Sequence, residues 1–104
     1  INSTYQKNRV ENICSRLGMV SIALLWELEA KPLLDSMIEN GIEAILIKVA
    51  SYGLTRQHLG KTLAQLRPHL MKLQDEFGGH CCGEGGEFES LTLDCPLFHK
   101  KIVL

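Results

Sequence analysis

The sequence predicts an α/β fold with a mostly parallel sheet, and three observations carry that prediction. Helix-like and strand-like segments alternate along the 104 residues, an order typical of right-handed crossovers between parallel strands. Two apolar runs, over residues 19–26 and 43–50, have the nearly unbroken hydrophobicity of strands buried on both faces. The amphipathic segments are bounded by glycine or proline, which are common at helix ends.

The first helix is predicted over residues 5–17. Ser3 and Gln6 have the spacing of a capping box ahead of it, and Gly18 follows as a stop signal. Its apolar residues recur at i, i+3, i+4 and i+7, which is the spacing of one helix face. We therefore expect this helix to bury a single stripe, formed by Val10, Ile13, Cys14 and Leu17.

Two more helices are predicted, over residues 32–40 and 63–77. Pro68 interrupts the second of these and predicts either a kink or a start near that proline. A short strand is expected over residues 88–93, and residues 101–104 look like the beginning of another. Two or three parallel strands make a poor sheet by themselves, so the sequence predicts an incomplete domain of which a neighbouring part is missing.

Composition and charge exclude several classes of function. Hydrophobic residues make up 45% and charged residues 22% of the chain, which are ordinary values for a folded domain. The net charge is −1 and the basic residues are scattered, so binding to DNA or RNA is not indicated. No apolar run approaches the length of a membrane span, and the start at Ile1 has no signal-peptide pattern.

The four cysteines predict free thiols. Cys81 and Cys82 are adjacent, and Cys14 lies on an apolar helix face. Nothing indicates secretion, so we expect a reducing compartment, the cytoplasm. A zinc site built from these cysteines, Cys95 and His80 is disfavoured, because structural zinc prefers ligands two to four residues apart. No metal ligand is therefore assigned, while a Cys–His nucleophile pair stays open.

The segment from Gly83 to Glu89 holds the densest polar chemistry of the chain. Its acidic residues, with the glycines among them, are Glu84, Glu87 and Glu89. Carboxylates this close repel one another unless a positive group lies among them, and glycine lets the backbone approach a ligand. A cation, a metal–phosphate group or a substrate ammonium would fit, and an acidic surface turn explains the residues equally well. Asp94, in the turn after the next strand, adds a further carboxylate.

Basic residues lie in and after the second apolar run. Ligands of open α/β sheets bind beyond the carboxyl ends of the strands, where the loop over residues 51–61 is expected. Lys48 either faces a ligand pocket or, as is more frequent, extends into solvent. His58 and Lys61 offer an imidazole and an ammonium to a phosphate or carboxylate, or they belong to a helix N-terminal cap. Their spacing is not that of a P-loop.

The run over residues 82–98, C-G-E-G-G-E-F-E-S-L-T-L-D-C-P-L-F, closely resembles the signature of the diphthine–ammonia ligase family. Two further segments resemble the same family: Y-Q and R-V-E within residues 5–11, and I-K-V-A, G-L and H-L-G-K within residues 47–61. Together they span nearly the whole chain in the family's order. Residues 27–30 and the Ser51-Tyr52 pair depart from the usual family sequence.

The resemblance implies an ATP-dependent amide ligase with a Rossmann-like fold of the adenine nucleotide alpha-hydrolase type. Such an enzyme activates the carboxylate of diphthine, a modified histidine of elongation factor 2, as an acyl-adenylate. Ammonia then displaces AMP and leaves diphthamide. ATP, with Mg²⁺, is the implied cofactor. The family's S-G-G-K-D-S phosphate-binding loop has no counterpart in residues 1–104, which are therefore expected to be the second half of the ligase domain.

The resemblance also implies roles for individual residues. Acidic residues of the signature are expected to be catalytic, because carboxylates attract a trimethylammonium group and can accept a proton from ammonia: Glu84, Glu87 and Asp94. Substrate binding is expected from Gly83, Gly85, Gly86 and Glu89, with the N–H groups of Gly85 and Gly86 steadying an oxyanion. Contacts with nucleotide or acyl-adenylate are expected from Lys48, His58 and Lys61.

Two other functions stay open on the sequence. A related ATP pyrophosphatase could act on another substrate such as a tRNA base, although the lack of a basic surface counts mildly against tRNA. A non-catalytic half-domain could instead bind a partner, or associate with itself through an open sheet edge.

Overall fold

The computed structural model describes residues 3–104, in which helices and strands are mixed along the chain. The elements in chain order are α1 (Thr4–Leu17), α2 (Ala30–Glu39), β1 (Glu43–Val49), a short 3₁₀ helix (Arg56–His58), α3 (Leu63–Phe77) and β2 (Phe88–Asp94). The three predicted helices and the strands predicted over residues 43–50 and 88–93 are confirmed, because each lies within two residues of its expected bounds.

The helix ends follow the capping signals of the sequence. Ser3 accepts a hydrogen bond from the backbone N–H of Gln6 at 3.4 Å, and Gly18 ends α1 in the left-handed region. Thr62 and Gln65 form a reciprocal capping box at the start of α3. Because α3 begins there and continues through Pro68, the alternative start near the proline is excluded.

The sheet has two strands within the described residues, and they run antiparallel. Lys48 lies opposite Glu89, and Val49 lies opposite Phe88. The other edge of β1 contacts the chain ahead of α3, where the Leu46 N–H donates to the Lys61 carbonyl at 3.1 Å. The prediction of parallel pairing was therefore wrong for these two strands.

The direction of β2 follows from the route of the chain after β1. Thr62 forms an antiparallel bridge to Ile45, so the chain has already returned along β1 before α3 begins. α3 then ends where Phe77 meets Tyr52, next to the carboxyl end of β1, with ring centroids 5.1 Å apart. A strand that starts from that end can pair with β1 only in the opposite direction.

The strand predicted over residues 19–26 is not formed. This apolar run is irregular and ends in a turn, with Val20, Ile22 and Leu24 almost fully exposed. The strand expected from residue 101 is also absent, although the Ile102 N–H donates to the Leu93 carbonyl at 2.8 Å. The run over residues 19–26 has no strand beside it in the described part of the chain, and an isolated strand leaves its backbone groups unpaired. Residues 101–104 meet β2 at Leu93 without forming a ladder.

The core lies between the sheet and helices α2 and α3. Leu34 and Leu46 are its most completely buried side chains. The cluster around them consists of Ala30, Ala44, Leu54, Leu63, Leu66, Leu70, Cys81 and Phe88. Helix α1 contributes no buried residue, so the expectation that it buries an apolar stripe was wrong: Val10, Ile13 and Leu17 remain 42–67% exposed.

No helix within residues 3–104 combines the length and the apolar character needed to cross a membrane.

Candidate functional site

Two of the predicted loops meet at the carboxyl end of β1. The carbonyl oxygen of Glu87 accepts hydrogen bonds from the N–H groups of Ala50 and Ser51, at 2.9 and 3.2 Å. The segment that precedes β2, residues 78–87, is called the glycine loop below. Because β2 is antiparallel to β1, its amino end lies beside the carboxyl end of β1. The glycine loop, which precedes β2, therefore lies at that edge of the sheet.

The carboxylate of Glu87 holds the glycine loop in shape. One of its oxygens accepts from the His80 N–H at 2.9 Å, and the other accepts from the Gly85 N–H at 2.8 Å. A Cβ atom on Gly85 would overlap this carboxylate, so a larger residue at this position would displace it. The loop is therefore an ordered turn built around its own acidic side chain rather than a loose acidic surface.

Gln74 fixes the beginning of the same loop, a role that the sequence reasoning missed. Its side-chain oxygen accepts from the Cys81 N–H at 2.9 Å. Gln74 lies in the last turn of α3, and nothing in its spacing distinguishes it from an ordinary polar residue at a helix end. Only the tertiary fold brings it against the loop.

The N–H groups expected to steady an oxyanion are already engaged. That of Gly85 donates to Glu87, and that of Gly86 donates to the carbonyl of Gly83 at 3.1 Å. An N–H group that already donates within the loop cannot also serve a developing oxyanion without the turn opening. The structure therefore does not present these two groups to a substrate.

Glu84 and Glu89 have different surroundings. Glu84 is exposed on the glycine loop and forms no ion pair within the described residues. Glu89 accepts from Lys48 at 2.8 Å across the two strands, and this hydrogen bond, with its attraction, raises the pKa of Lys48. Lys48 was expected to contact the nucleotide and Glu89 the substrate, but the two side chains pair with each other at the surface.

Asp94 lies at the far end of β2 and is paired in the ladder with Glu43. Seven extended residues separate it from Glu87, which corresponds to roughly 20 Å. Lys101 donates to both oxygens of Glu43 at 2.8 Å, so this end of the sheet has its own charge balance. The structure does not bring Asp94 together with Glu84 and Glu87.

His58 and Lys61 belong to the connection between β1 and α3. The Nδ1 atom of His58 accepts from the Thr55 N–H at 2.9 Å within a capping box. The ring of His58 stacks on His69 with centroids 4.6 Å apart, and His69 Nε2 lies 2.7 Å from the Gly53 carbonyl. The cap alternative therefore describes His58 in this structure, while the side chain of Lys61 is exposed.

The cysteines are free thiols, as predicted. The Cys82 thiol donates to the Ala30 carbonyl at 3.4 Å. Burial, together with the neighbouring Cys81, raises its pKa to about 12. A thiol with so high a pKa carries little thiolate near neutral pH, which speaks against Cys82 as a nucleophile. Within residues 3–104, His, Cys, Asp and Glu side chains form no cluster of three or more suited to a metal ion.

A pocket of about 240 Å³ opens beside the glycine loop. Its walls come from the residues after β1, from the last turns of α3 and from the start of β2. The lining includes Tyr52, Gln74, Phe77, His80, Glu87 and Phe88. The rings of Tyr52 and Phe77 meet edge to face, at 79°.

The fold and this site define the class: a mixed helix–strand domain whose glycine loop, held by a carboxylate, borders a pocket at one strand end. Residues 29–104 match the family described as the diphthamide synthase C-terminal domain, and the chain belongs to that family. The match begins one residue before Ala30, the first residue of the buried core. The family expected from the residue 82–98 signature is confirmed.

Curated relatives agree with this assignment. The chain is 56% identical over 104 residues to a diphthine–ammonia ligase of Schizosaccharomyces pombe, covering all of this chain and 17% of that protein. It is 54% identical to the ligase of the same name from Rattus norvegicus and 52% identical to that from Homo sapiens, each over 105 residues. The chain spans 39% of the length of each of these two relatives.

Proposed function

We propose that this chain is the second half of the catalytic domain of an ATP-dependent diphthine–ammonia ligase. The observation that carries the proposal is the 52–56% identity, over the whole chain, to ligases of that name. The glycine loop and its pocket add a structural argument, because they place the most distinctive part of the sequence around an open site. We place the reaction in the cytoplasm, where elongation factor 2 acts.

In the proposed reaction, the carboxylate of diphthine on elongation factor 2 attacks the α-phosphate of ATP and pyrophosphate leaves. Ammonia then attacks the acyl carbon, AMP leaves, and an amide remains. The attacking nitrogen must lose a proton as the carbon–nitrogen bond forms. Glu84 is the acidic side chain of the glycine loop that is exposed and forms no ion pair among the described residues, so we assign it as the proton acceptor.

ATP does not fit the described residues alone. Lys48 is paired with Glu89, and His58 is engaged in a cap. The side chain of Lys61 is exposed, but its backbone joins the middle of β1 rather than the end that carries the glycine loop. We therefore propose that the groups binding the triphosphate and Mg²⁺ lie in residues outside this chain, and that those residues complete a Rossmann-like, mostly parallel sheet.

The alternatives have less support. An ATP pyrophosphatase acting on a tRNA base is not favoured by relatives that share one ligase name. A non-catalytic binding module is not favoured either, because the same relatives are named as ligases.

The first prediction concerns Glu84. In the intact protein, Glu84→Gln keeps the size of the side chain and removes its ability to accept a proton. We expect kcat for amidation to fall by roughly a hundredfold, the usual contribution of a general base. Diphthine-bearing elongation factor 2, ATP and ammonium are supplied, and AMP release and the mass of the product are followed.

The matched control for Glu84 is Glu76→Gln on α3, which removes a surface carboxylate whose only ion pair among the described residues is with Lys72 at 3.7 Å. Turnover should be unchanged in this variant. Equal turnover in Glu84→Gln and in the control would remove Glu84 from the mechanism. No amide formation by the unmodified protein would overturn the proposed function itself.

A further inference from the structure

Tyr52 and Phe77 are large aromatic residues whose exposure the core does not explain. They remain 82% and 56% exposed, yet their rings pack against each other and line the pocket beside the glycine loop. Phe88, which is buried, forms a further part of the wall. Aromatic rings that border an open volume can offer their negative π-faces to an occupant of that volume.

The pocket also contains a carboxylate that has backbone donors but no cationic partner among the described residues. Glu87 lines it, and no Lys or Arg forms an ion pair with Glu87 in the part of the chain that the structure describes. Each of its oxygens already accepts a backbone N–H, from His80 and from Gly85. The group therefore offers a negative charge whose position is fixed, with much of its hydrogen-bonding capacity already used.

This combination distinguishes between kinds of cation. A lysine-like ammonium or a guanidinium must have its N–H groups accepted when it leaves water, and here one lone pair of each Glu87 oxygen is already taken by a backbone N–H. A quaternary ammonium has no N–H to donate. It needs only apolar contact, π-faces and a nearby negative charge, and aromatic cages bind it on that basis.

We propose that the pocket formed by Tyr52, Phe77, Glu87 and Phe88 binds a quaternary trimethylammonium group. The volume of about 240 Å³ leaves room for such a group. The inference rests on the proposed function in one respect: in diphthine this group is carried by the substrate, and the pocket would hold it while the carboxylate reacts nearby. Glu87 is then a binding and positioning residue, and Glu84 is the residue that exchanges a proton.

Choline and its neutral isostere 3,3-dimethylbutan-1-ol test the pocket without ATP or turnover. The two molecules have the same shape and differ in charge. Ligand-observed NMR of the methyl signals, with the intact protein, gives the affinity of each. We expect choline to bind at least about tenfold more tightly than the isostere, because cation–π attraction and the charge of Glu87 act on choline alone.

Two variants locate the binding. Phe77→Leu keeps an apolar side chain and removes the π-face, and it should weaken choline binding about fivefold to tenfold. Phe98→Leu changes another partly exposed phenylalanine outside the pocket and should leave the affinity unchanged. Tyr52→Leu should also weaken binding, and Tyr52→Phe should preserve it.

Steady-state kinetics test the proposed pocket separately from the proposed ligase function. Phe77→Leu should raise KM for the diphthine-bearing substrate and leave kcat nearly unchanged, as expected for a contact made equally before and during the reaction. If Phe77→Leu catalyses amidation with an unchanged KM, or if choline and its isostere bind equally, the proposed trimethylammonium pocket is wrong and the ligase function stands. Selective choline binding that Phe77→Leu weakens, without amidation, would overturn the ligase function while the pocket stood.

Discussion

At the scale of single residues, Glu87 changes most in meaning between sequence and structure. The sequence presents it as one of several acidic residues in a glycine-rich run. The structure shows its two oxygens joined to the backbone at His80 and Gly85. Such a carboxylate is held in one position by its hydrogen bonds, so its charge can position a ligand.

The thiols beside the loop give a prediction at the same scale. Burial raises the pKa of Cys82 to about 12, from the ordinary thiol value of 9.0. Alkylation requires the thiolate, so at pH 8 Cys82 of the folded chain should react with iodoacetamide at least about a hundredfold more slowly than in the urea-unfolded chain. Mass spectrometry of the peptide that contains Cys82 measures both rates.

The same shift fixes a pH window for stability. The folded pKa of Cys82 is above the unfolded value, so its stabilising contribution is complete below pH 9 and is lost as the pH rises from 9 towards 12. Cys95, which is half-buried, serves as an internal check that the reagent is active. Equal alkylation of Cys82 in the folded and unfolded chain would show that the thiol is not held in a desolvated environment.

At the scale of elements, α3 connects the core to the pocket. Its buried face supplies Leu63, Leu66 and Leu70, while its last turn supplies Gln74 and Phe77 to the loop and the pocket. Arg67 forms an ion pair with Asp35 of α2, and this hydrogen bond lowers the pKa of the Asp35 carboxyl. Both groups are exposed, so solvent limits what the pair contributes.

Pro68 gives a prediction about this helix. A proline in a helix interior removes one backbone hydrogen bond and crowds the preceding turn, at a cost of about 3 kcal/mol. Proline also restricts the unfolded chain, which offsets about 0.4–1 kcal/mol of this cost. Because Pro68 is exposed, Pro68→Ala should raise the free energy of unfolding by about 2 kcal/mol in urea titration.

Pro32 is the matched control for Pro68. It is also exposed, but it lies in the first turn of α2, where backbone N–H groups have no partner within the helix. Pro32→Ala should therefore leave stability unchanged or lower it slightly. A similar gain in both variants would mean that α3 accommodates Pro68 without the expected strain.

At the scale of the whole molecule, the chain divides into a packed part and an uncovered part. The family match over residues 29–104 coincides with the buried core, whereas residues 4–28 contribute no buried side chain. Helix α1 and residues 21–26 border a cleft of about 510 Å³ that is largely apolar. Contiguous apolar surface of this kind usually marks a contact with other protein.

The uncovered apolar run predicts how the 104-residue chain behaves by itself. We expect concentration-dependent association in sedimentation velocity, because Val20, Ile22 and Leu24 are 79–86% exposed. Replacing Val20 and Leu24 by serine should shift the chain towards monomer. Leu97→Ser, which changes a leucine that is 88% exposed outside this run, should not.

The outcomes of that experiment also bear on the sheet edge. Association that persists in the Val20 and Leu24 double variant would point to another surface, such as an open sheet edge, which the sequence left as an alternative. A wild-type chain that stays monomeric at all concentrations would show that the apolar run is covered in a way the structure does not describe.

The sequence by itself determined the helices, their caps, two of the strands and the family. These features depend on short-range physics: apolar periodicity, capping residues and glycine act within a few positions of the chain. The residue 82–98 signature was sufficient for the family because it is local and specific.

Only the tertiary structure decided the direction of β2, the exposure of α1 and the partners of the polar residues. Lys48 meets Glu89 across 41 positions, and the direction of the sheet depends on residues 55–62 returning along β1 before α3 begins. The apolar run over residues 19–26 has the composition of a buried strand, but a strand forms only where another strand satisfies its backbone. The sequence thus identified the polar residues of the candidate site, and the fold decided which of them meet.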